Sequence, residues 1–349
     1  MRRLLASLAA LALAVPALAQ VPTDLPIDPE DEPGSPYEAF IARFQTDELR
    51  ITSLIQVVPR VAFQETEGDQ ARFQIPRARL GIRGRLNNGI GYGLQTELTR
   101  SPALLDAIVT YGTGGLKGSL GLQQTPFSAE NLASDAATDF VERARAVRRV
   151  SPGRSIGAQL LASRGPIGFR GGVFNPTQRT DVDGVPLSVR DRGGALLMAR
   201  AENELDLDAG FIELGANVAY VTDDTSTELE SPGELNLGVD ARAEVGRVLV
   251  AGELLRQRTE APFVPTQPTG LDGGYLTLGY DLTPADRLLT RLDVIAVEGG
   301  DASAHVLLGY DRRLTRSALI QANLQIPVAD AGDGLDQPLQ ALFNFQFAF

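Results

Sequence analysis

Cysteine and tryptophan are absent from the 349 residues, histidine occurs once (His305), lysine once (Lys117) and methionine twice. Without cysteine there is no disulfide, thiolate metal site or thiol nucleophile, and a chain of this length can be held by burial and backbone pairing alone. A single histidine leaves a Ser-His-Asp hydrolase one candidate, and His305, between Ala304 and Val306, reads as an ordinary strand residue. Long hydrophobic runs are also missing. After the first twenty residues no stretch approaches the roughly 18 uncharged apolar residues of a spanning helix, so entry into a membrane requires strands closed into a barrel. Basic charge is scarce relative to acid: the formal net charge is -12, which argues against a nucleic-acid partner. No cofactor is implied, because Gly91-Tyr92-Gly93 does not open a helix in a βαβ unit, and loop acids such as Asp181, Asp183, Asp223 and Asp224 read as solvated. An enzyme is not expected.

What is present begins with Arg2-Arg3, an apolar stretch from Leu4 to Leu18 and the triplet Ala17-Leu18-Ala19, the pattern of a secretory signal peptide over residues 1–20 with cleavage near Ala19. Residues 21–48 form an acidic, proline-rich tail in which Tyr37, Phe40, Ile41 and Phe44 predict a short helix.

From residue 49 to 349 the pattern changes to segments of about ten alternating residues separated by glycine, proline, asparagine and aspartate. The last segment places Leu339, Ala341, Phe343, Phe345, Phe347 and Phe349 on one face, opposite Gln340, Asn344 and Gln346. Residues 315–326 repeat this with Ala318, Ile320, Ala322, Leu324 and Ile326 against Gln321, Asn323 and Gln325. Residues 234–245 set Leu235, Leu237, Val239, Ala241, Ala243 and Val245 against Asn236, Asp240, Arg242 and Glu244. Side chains alternate along a strand, so each segment has one greasy and one wet face. The count predicts an all-β fold, a transmembrane antiparallel β-barrel of about 16 strands. Tight connections fall at Asn87-Asn88, Gly114-Gly115, Arg164-Gly165 and Gly246, and longer ones at 65–71, 176–191, 223–233 and 259–271. Residues 125–153 are too long for a hairpin and too charged for a strand. With no tryptophan, the interfacial girdle is expected from Tyr92, Tyr111, Tyr220, Tyr275, Tyr280 and Tyr310 with the terminal phenylalanines.

Four motifs in order carry a resemblance: the basic strand Arg77-Ala78-Arg79-Leu80-Gly81-Ile82-Arg83-Gly84-Arg85-Leu86, then Pro126-Phe127-Ser128-Ala129-Glu130, Phe140-Val141-Glu142-Arg143 and Pro152-Gly153-Arg154-Ser155-Ile156-Gly157. Together they resemble the phosphate-selective porin family, the anion porins of Gram-negative outer membranes. Residues 72–165 carry the likeness, and the rest is similar as a barrel pattern ending in phenylalanine. The resemblance implies a homotrimer in outer-membrane lipid, delivered by the barrel assembly machinery, with the long third loop folded into each lumen and small anionic solutes such as phosphate as cargo. The chain departs from the family in having Lys117 as its one lysine.

On the second strand Arg77, Arg79, Arg83 and Arg85 share a parity opposite Ala78, Leu80, Ile82 and Leu86. Charge at the bilayer midplane costs about 2–4 kcal/mol per arginine, so these side chains are expected in the lumen as an anion ladder. The competing role is pairing with loop acids such as Glu130, Asp135, Asp139 and Glu142. Lys117 and the loop's Arg143, Arg145 and Arg148 complete the pore-lining candidates, with Glu142 and Arg143 also read as a buried structural pair. A plugged structural or adhesive barrel, and a soluble all-β binding protein, are the alternatives.

Overall fold

The computed structural model of the chain describes residues 46, 48–63, 69–86, 89–176, 194–222, 233–259, 270–329 and 338–349. The expected signal sequence, most of the tail with the helix expected at 37–45, the Asn87-Asn88 turn, and most or all of the connections at 65–71, 176–191, 223–233 and 259–271 lie outside them.

Sixteen strands follow one another: β1 (Arg50–Phe63), β2 (Gln70–Arg85), β3 (Ile90–Glu97), β4 (Leu104–Thr113), β5 (Leu116–Gln124), β6 (Arg154–Arg164), β7 (Ile167–Phe174), β8 (Leu196–Leu207), β9 (Gly210–Val221), β10 (Glu234–Val245), β11 (Val248–Thr259), β12 (Gly270–Asp281), β13 (Asp286–Val297), β14 (Ala302–Arg313), β15 (Ala318–Ala329) and β16 (Leu339–Ala348). Each pairs antiparallel with its sequence neighbours, and β16 pairs with β1 through Val57↔Phe345 and Val61↔Ala341, so the sheet closes without an edge. Closure is what lets every interior strand satisfy its backbone polar groups where water is absent.

The greasy faces point outward. Leu80, Leu120, Leu160, Leu214, Val239, Leu254, Leu276, Leu292, Leu308 and Phe345 are all exposed large hydrophobics. The wet faces point in: Gln321, Asn323 and Gln325 on β15, with Gln340, Asn344 and Gln346 on β16, are buried. Tyr111 and Tyr280 lie on the outer face as expected of a girdle. Tyr275 does not; it faces the lumen, where its hydroxyl donates to Glu253 Oε1 at 3.1 Å.

Strand pairing departs from simple alternation on β2. Gln56 stands opposite Arg77 but Val58 stands opposite Gln74, so β2 carries one extra residue at Ile75-Pro76. A bulge reverses parity beyond it. Arg72, paired with the lumen-facing Arg60, therefore joins the inner face, and Phe73 and Ile75 are turned out.

One rim carries tight turns: Gly114-Gly115 joins β4 to β5, Gly165-Pro166 joins β6 to β7, and Gly246-Arg247 joins β10 to β11. Gly165 and Gly246 have φ of 59° and 61°, a left-handed conformation that glycine adopts without Cβ strain. The opposite rim bears the long connections, including residues 125–153 between β5 and β6.

Candidate pore constriction

Residues 125–153 do not stay on the rim. They fold into the lumen as two short helices, α1 (Ala129–Leu132) and α2 (Arg145–Val150). Entry is set by Ser128, the one non-glycine with positive φ among the described residues (66°). Its hydroxyl accepts from Asn131 N–H at 3.1 Å and caps α1, while its own N–H donates to Asn217 Oδ1 of β9 at 3.2 Å.

Apolar side chains fix the two ends of the loop. Phe127, Ala144, Ala146, Val147 and Val150 pack against Phe174, Leu196, Met198, Ala219, Val221, Leu255, Leu271 and Ile295 of the inner wall. Phe140 fills a second cluster with Leu249, Ala251, Leu289 and Leu307, and Val141 a third with Val58 and Leu342. Each such phenylalanine contributes about 1.5–3 kcal/mol by burial. Wall glycines give these groups their seats: a Cβ at Gly238 would lie 3.5 Å from the Phe127 ring, one at Gly309 3.0 Å from Phe140, and one at Gly273 2.7 Å from Ala146 Cβ.

Amide side chains hold the stretch between. Gln56 donates to Asp135 O at 3.2 Å, Gln346 to Ala136 O at 2.9 Å and Gln321 to Thr138 O at 3.1 Å, and Val141 N–H donates to Asn323 Oδ1 at 2.8 Å. The wet faces of β1, β15 and β16 thus satisfy loop backbone that would otherwise be buried unpaired.

Charge is equally committed. Asp135 is ion-paired with Arg77 (3.1 Å), Arg79 and Arg143. Burial pushes its carboxyl up, but the Arg77, Arg143 and Arg79 guanidiniums outweigh that and hold it well below the usual carboxylate range. Arg143 also donates to Glu130 O at 2.8 Å and Ala133 O at 2.7 Å, cinching the base of the loop. Glu142 pairs with Arg60 and, at 3.5 Å, with Arg148; burial raises its carboxyl, and Arg148 and Arg60 bring it below the ordinary value. Glu142 and Arg143 are thus not each other's partners. Glu142 reaches Arg60 of β1 and Arg148 of α2, whereas Arg143 turns back into the loop. Asp139 meets Arg242, and Glu130 meets Arg291 at 2.6 Å.

Of the residues singled out from sequence, Arg77, Arg79 and Arg143 converge on Asp135. Arg145 is buried, its backbone N–H donating to Asp293 Oδ2 at 2.8 Å and its Nη1 to Ser303 Oγ at 2.6 Å. Arg83, Arg85 and Lys117 are exposed and make no ion pair among the described residues; Arg72, brought in by the bulge, is in the same condition. Sequence reasoning did not single out Arg60, Arg200 or Arg291 as loop or lumen partners. Arg200 is buried, held by Asp240 at 2.6 Å and by Glu202 at 3.0 Å. Their one sequence signal was a charge on the wet parity of an alternating strand.

Space remains beside the loop. A cavity of ≈ 900 Å³ lies between loop residues 129–139 and the wall from β6 to β12, and Arg170, Arg200, Arg242, Glu202, Glu204 and Glu213 line its wall side, with Glu202 paired to Arg170 at 2.9 Å. Glu204 and Glu213 are cross-strand partners without a salt bridge among the described residues.

Several solved outer-membrane proteins share this fold. A porin titled anion-selective, from Comamonas acidovorans, superposes with a TM-score of 0.65 at 12% identity, covering 86% of this chain and 99% of its own. OprB of Pseudomonas putida gives 0.66 at 13% identity over 90% and 97% of the two chains. OmpT of Vibrio cholerae, in a form titled trimer, gives 0.57 at 12% identity over 87% and 100%. At these identities the likeness is one of fold. A curated protein of Caulobacter vibrioides, itself uncharacterised, is 29% identical over 241 residues, covering 60% of this chain and 48% of its own, so this chain spans about half the length of that relative. The sequence profile described as "Phosphate-selective porin O and P" matches residues 49–299, most of the barrel, and the chain belongs to that family.

Proposed function

We propose that the protein is a passive outer-membrane pore that lets small hydrophilic solutes diffuse through a loop-narrowed, water-filled barrel. The observation that carries this reading is the ≈ 900 Å³ cavity left beside a loop that is otherwise packed, hydrogen-bonded and ion-paired to the inner wall. The loop is tied to the wall at many points and narrows the lumen, the cavity left between it and β6 to β12 is the route for solute, and no energy source is needed to pass.

Preference for anions, phosphate among them, rests on the first hairpin and β5. There Arg72, Arg83, Arg85 and Lys117, without an ion pair among the described residues, set positive charge along the inner wall, above and below the neutralised cluster at Asp135. Arginine stays charged at any relevant pH and presents forked donors to phosphate or carboxylate oxygens. Unpaired acids on β8 and β9 oppose that column, so the preference is expected to be modest.

Association with two further copies is part of the proposal. Strands β3 and β7 are 8 residues long against 12 for β8 to β14, and Phe73 and Leu98 are 82% and 67% exposed at the upper edge of this low wall. A neighbouring copy would cover that apolar edge. Swelling of proteoliposomes in isotonic sugars and in anionic or cationic solutes tests the reading: swelling at rates graded by solute size supports it, and none in any solute refutes it.

A further inference from the structure

Arg291 of β13 is the largest fully buried side chain among the described residues, 1% exposed, yet it carries a charge that the ladder at β2 does not use. Its guanidinium carbon lies 4.4 Å from the centroid of the Phe140 ring and 4.5 Å from that of Tyr275, sandwiched between a loop residue and a wall residue. Nε donates to Thr277 Oγ1 at 3.0 Å, and Nη2 sits 2.6 Å from Glu130 Oε1. Neither Nη1 nor Nη2 completes a hydrogen bond among the described residues, so the Glu130 contact is one of charge, and the two aromatic faces surround the cation. The carboxylate it meets is itself a knot: Glu130 Oε2 accepts Ala144 N–H at 2.8 Å, and Glu130 N–H donates to Glu253 at 2.6 Å. Through Glu130, Phe140 and Ala144, one cation of the wall therefore grips the start, the far bend and the end of the segment that crosses the lumen.

We infer that Arg291 is the positioning residue of the pore: it fixes the place of residues 130–144 and so the cross-section left open to solute. The inference rests on the porin reading above. Hydrophobic anchors hold Phe127, Phe140, Val141 and α2, and residues 133–139 between them rest on hydrogen bonds and ion pairs. The desolvated Arg291 cation ties Phe140 to Glu130 across that stretch, and leaving the sandwich would strip the guanidinium of both rings and of its counter-charge in a dry site.

The test is single-channel recording on the full-length chain in planar bilayers, with Arg291→Met, Arg291→Lys and Phe140→Leu compared with wild type. Losing one desolvated cation–π contact raises the undocked fraction of the loop by roughly thirtyfold. Expected are a larger conductance and noisier open level in Arg291→Met and Phe140→Leu, a changed reversal potential in a salt gradient, and partial return to wild type in Arg291→Lys. Heat-resistant migration of the folded barrel should stay as in the wild type in all three variants. Should Arg291→Met fail to assemble, Phe140→Leu alone decides, since it leaves the charge pair intact. Wild-type conductance, noise and reversal potential in Phe140→Leu, or no difference between the Lys and Met variants, would overturn the inference. Absence of steps in the wild type itself would instead defeat the porin reading.

Discussion

Arg242 on β10 holds Asp139 of the infolded loop through two parallel bonds, Nη1 to Oδ2 at 2.9 Å and Nη2 to Oδ1 at 3.1 Å. The fork is flanked by Glu244, which also accepts from the Arg242 Nε at 3.0 Å. Forked geometry makes this pair stronger than a single surface contact. A double-mutant cycle with Arg242→Ala and Asp139→Ala, read by urea unfolding in lipid vesicles, should give a coupling of about 1–2 kcal/mol. Additive effects would mean that the pair does not hold the loop.

Gly273 on β12 offers a test of the seats beneath α2. An added Cβ would stand 2.7 Å from Ala146 Cβ and 3.0 Å from Val294 O, so Gly273→Ala overpacks the contact at a cost of about 1–3 kcal/mol. Opposite in sense, Phe127→Ala empties a fully buried site and should cost about 3–5 kcal/mol. Both variants should retain the sheet and loosen the loop, visible as earlier protease cleavage within 125–153. Cleavage at the wild-type rate in both would place the anchoring elsewhere.

Acid should leave the loop in place for longer than ordinary carboxylates allow. Asp135 is held well below the usual range against the effect of burial by Arg77, Arg143 and Arg79, and Glu142 is lowered by Arg148 and Arg60. For a carboxyl depressed in the folded state, the stabilisation is complete above its unfolded value near ~4 and fades as pH falls through the lower folded value. Asp135 and Glu142 are therefore expected to contribute no change in conductance or open-channel noise between neutral pH and about 4, and to loosen the loop below it. A transition centred above that point that disappears in Asp135→Asn would contradict the Asp135 cluster.

Within the β2 ladder, Arg79 and Arg83 should behave differently. Arg79 pairs with Glu97 at 2.9 Å and with Asp135, whereas Arg83 is exposed without an ion pair among the described residues. Arg83→Glu should shift the reversal potential toward cations while loop stability stays unchanged. Arg79→Glu should weaken the loop as well, because it sets a third acid against Glu97 and Asp135. Equal stability in the two variants would remove the distinction between brace and free charge.

Much of the barrel was legible because one physical rule repeats: a strand between lipid and water must alternate. That rule located the strands and placed Gln321, Asn344 and Arg242 inside. It fails at the Ile75-Pro76 bulge, where one extra residue turns Arg72 inward, a change invisible to a period of two. It also gave no account of apolar residues on the wet parity, such as Leu249, Leu255, Leu271 and Ile295, which face the lumen because the loop packs there. The partners of the loop were the least legible part. Glu130 and Arg291 stand far apart in sequence, and only closure of the cylinder brings them to 2.6 Å. The sequence reading weighed ladder against brace for the β2 arginines; in the structure Arg77 and Arg79 brace Asp135, and Arg83 and Arg85 are unpaired.

Single-channel recording of the wild-type protein in a planar bilayer tests the account most directly. Stable, ohmic steps of uniform size, with a reversal potential in a salt gradient displaced modestly to the anion side, are the predicted result. A protein that inserts yet gives no steps would mean that the loop seals the lumen, and the reading of a passive pore would be wrong.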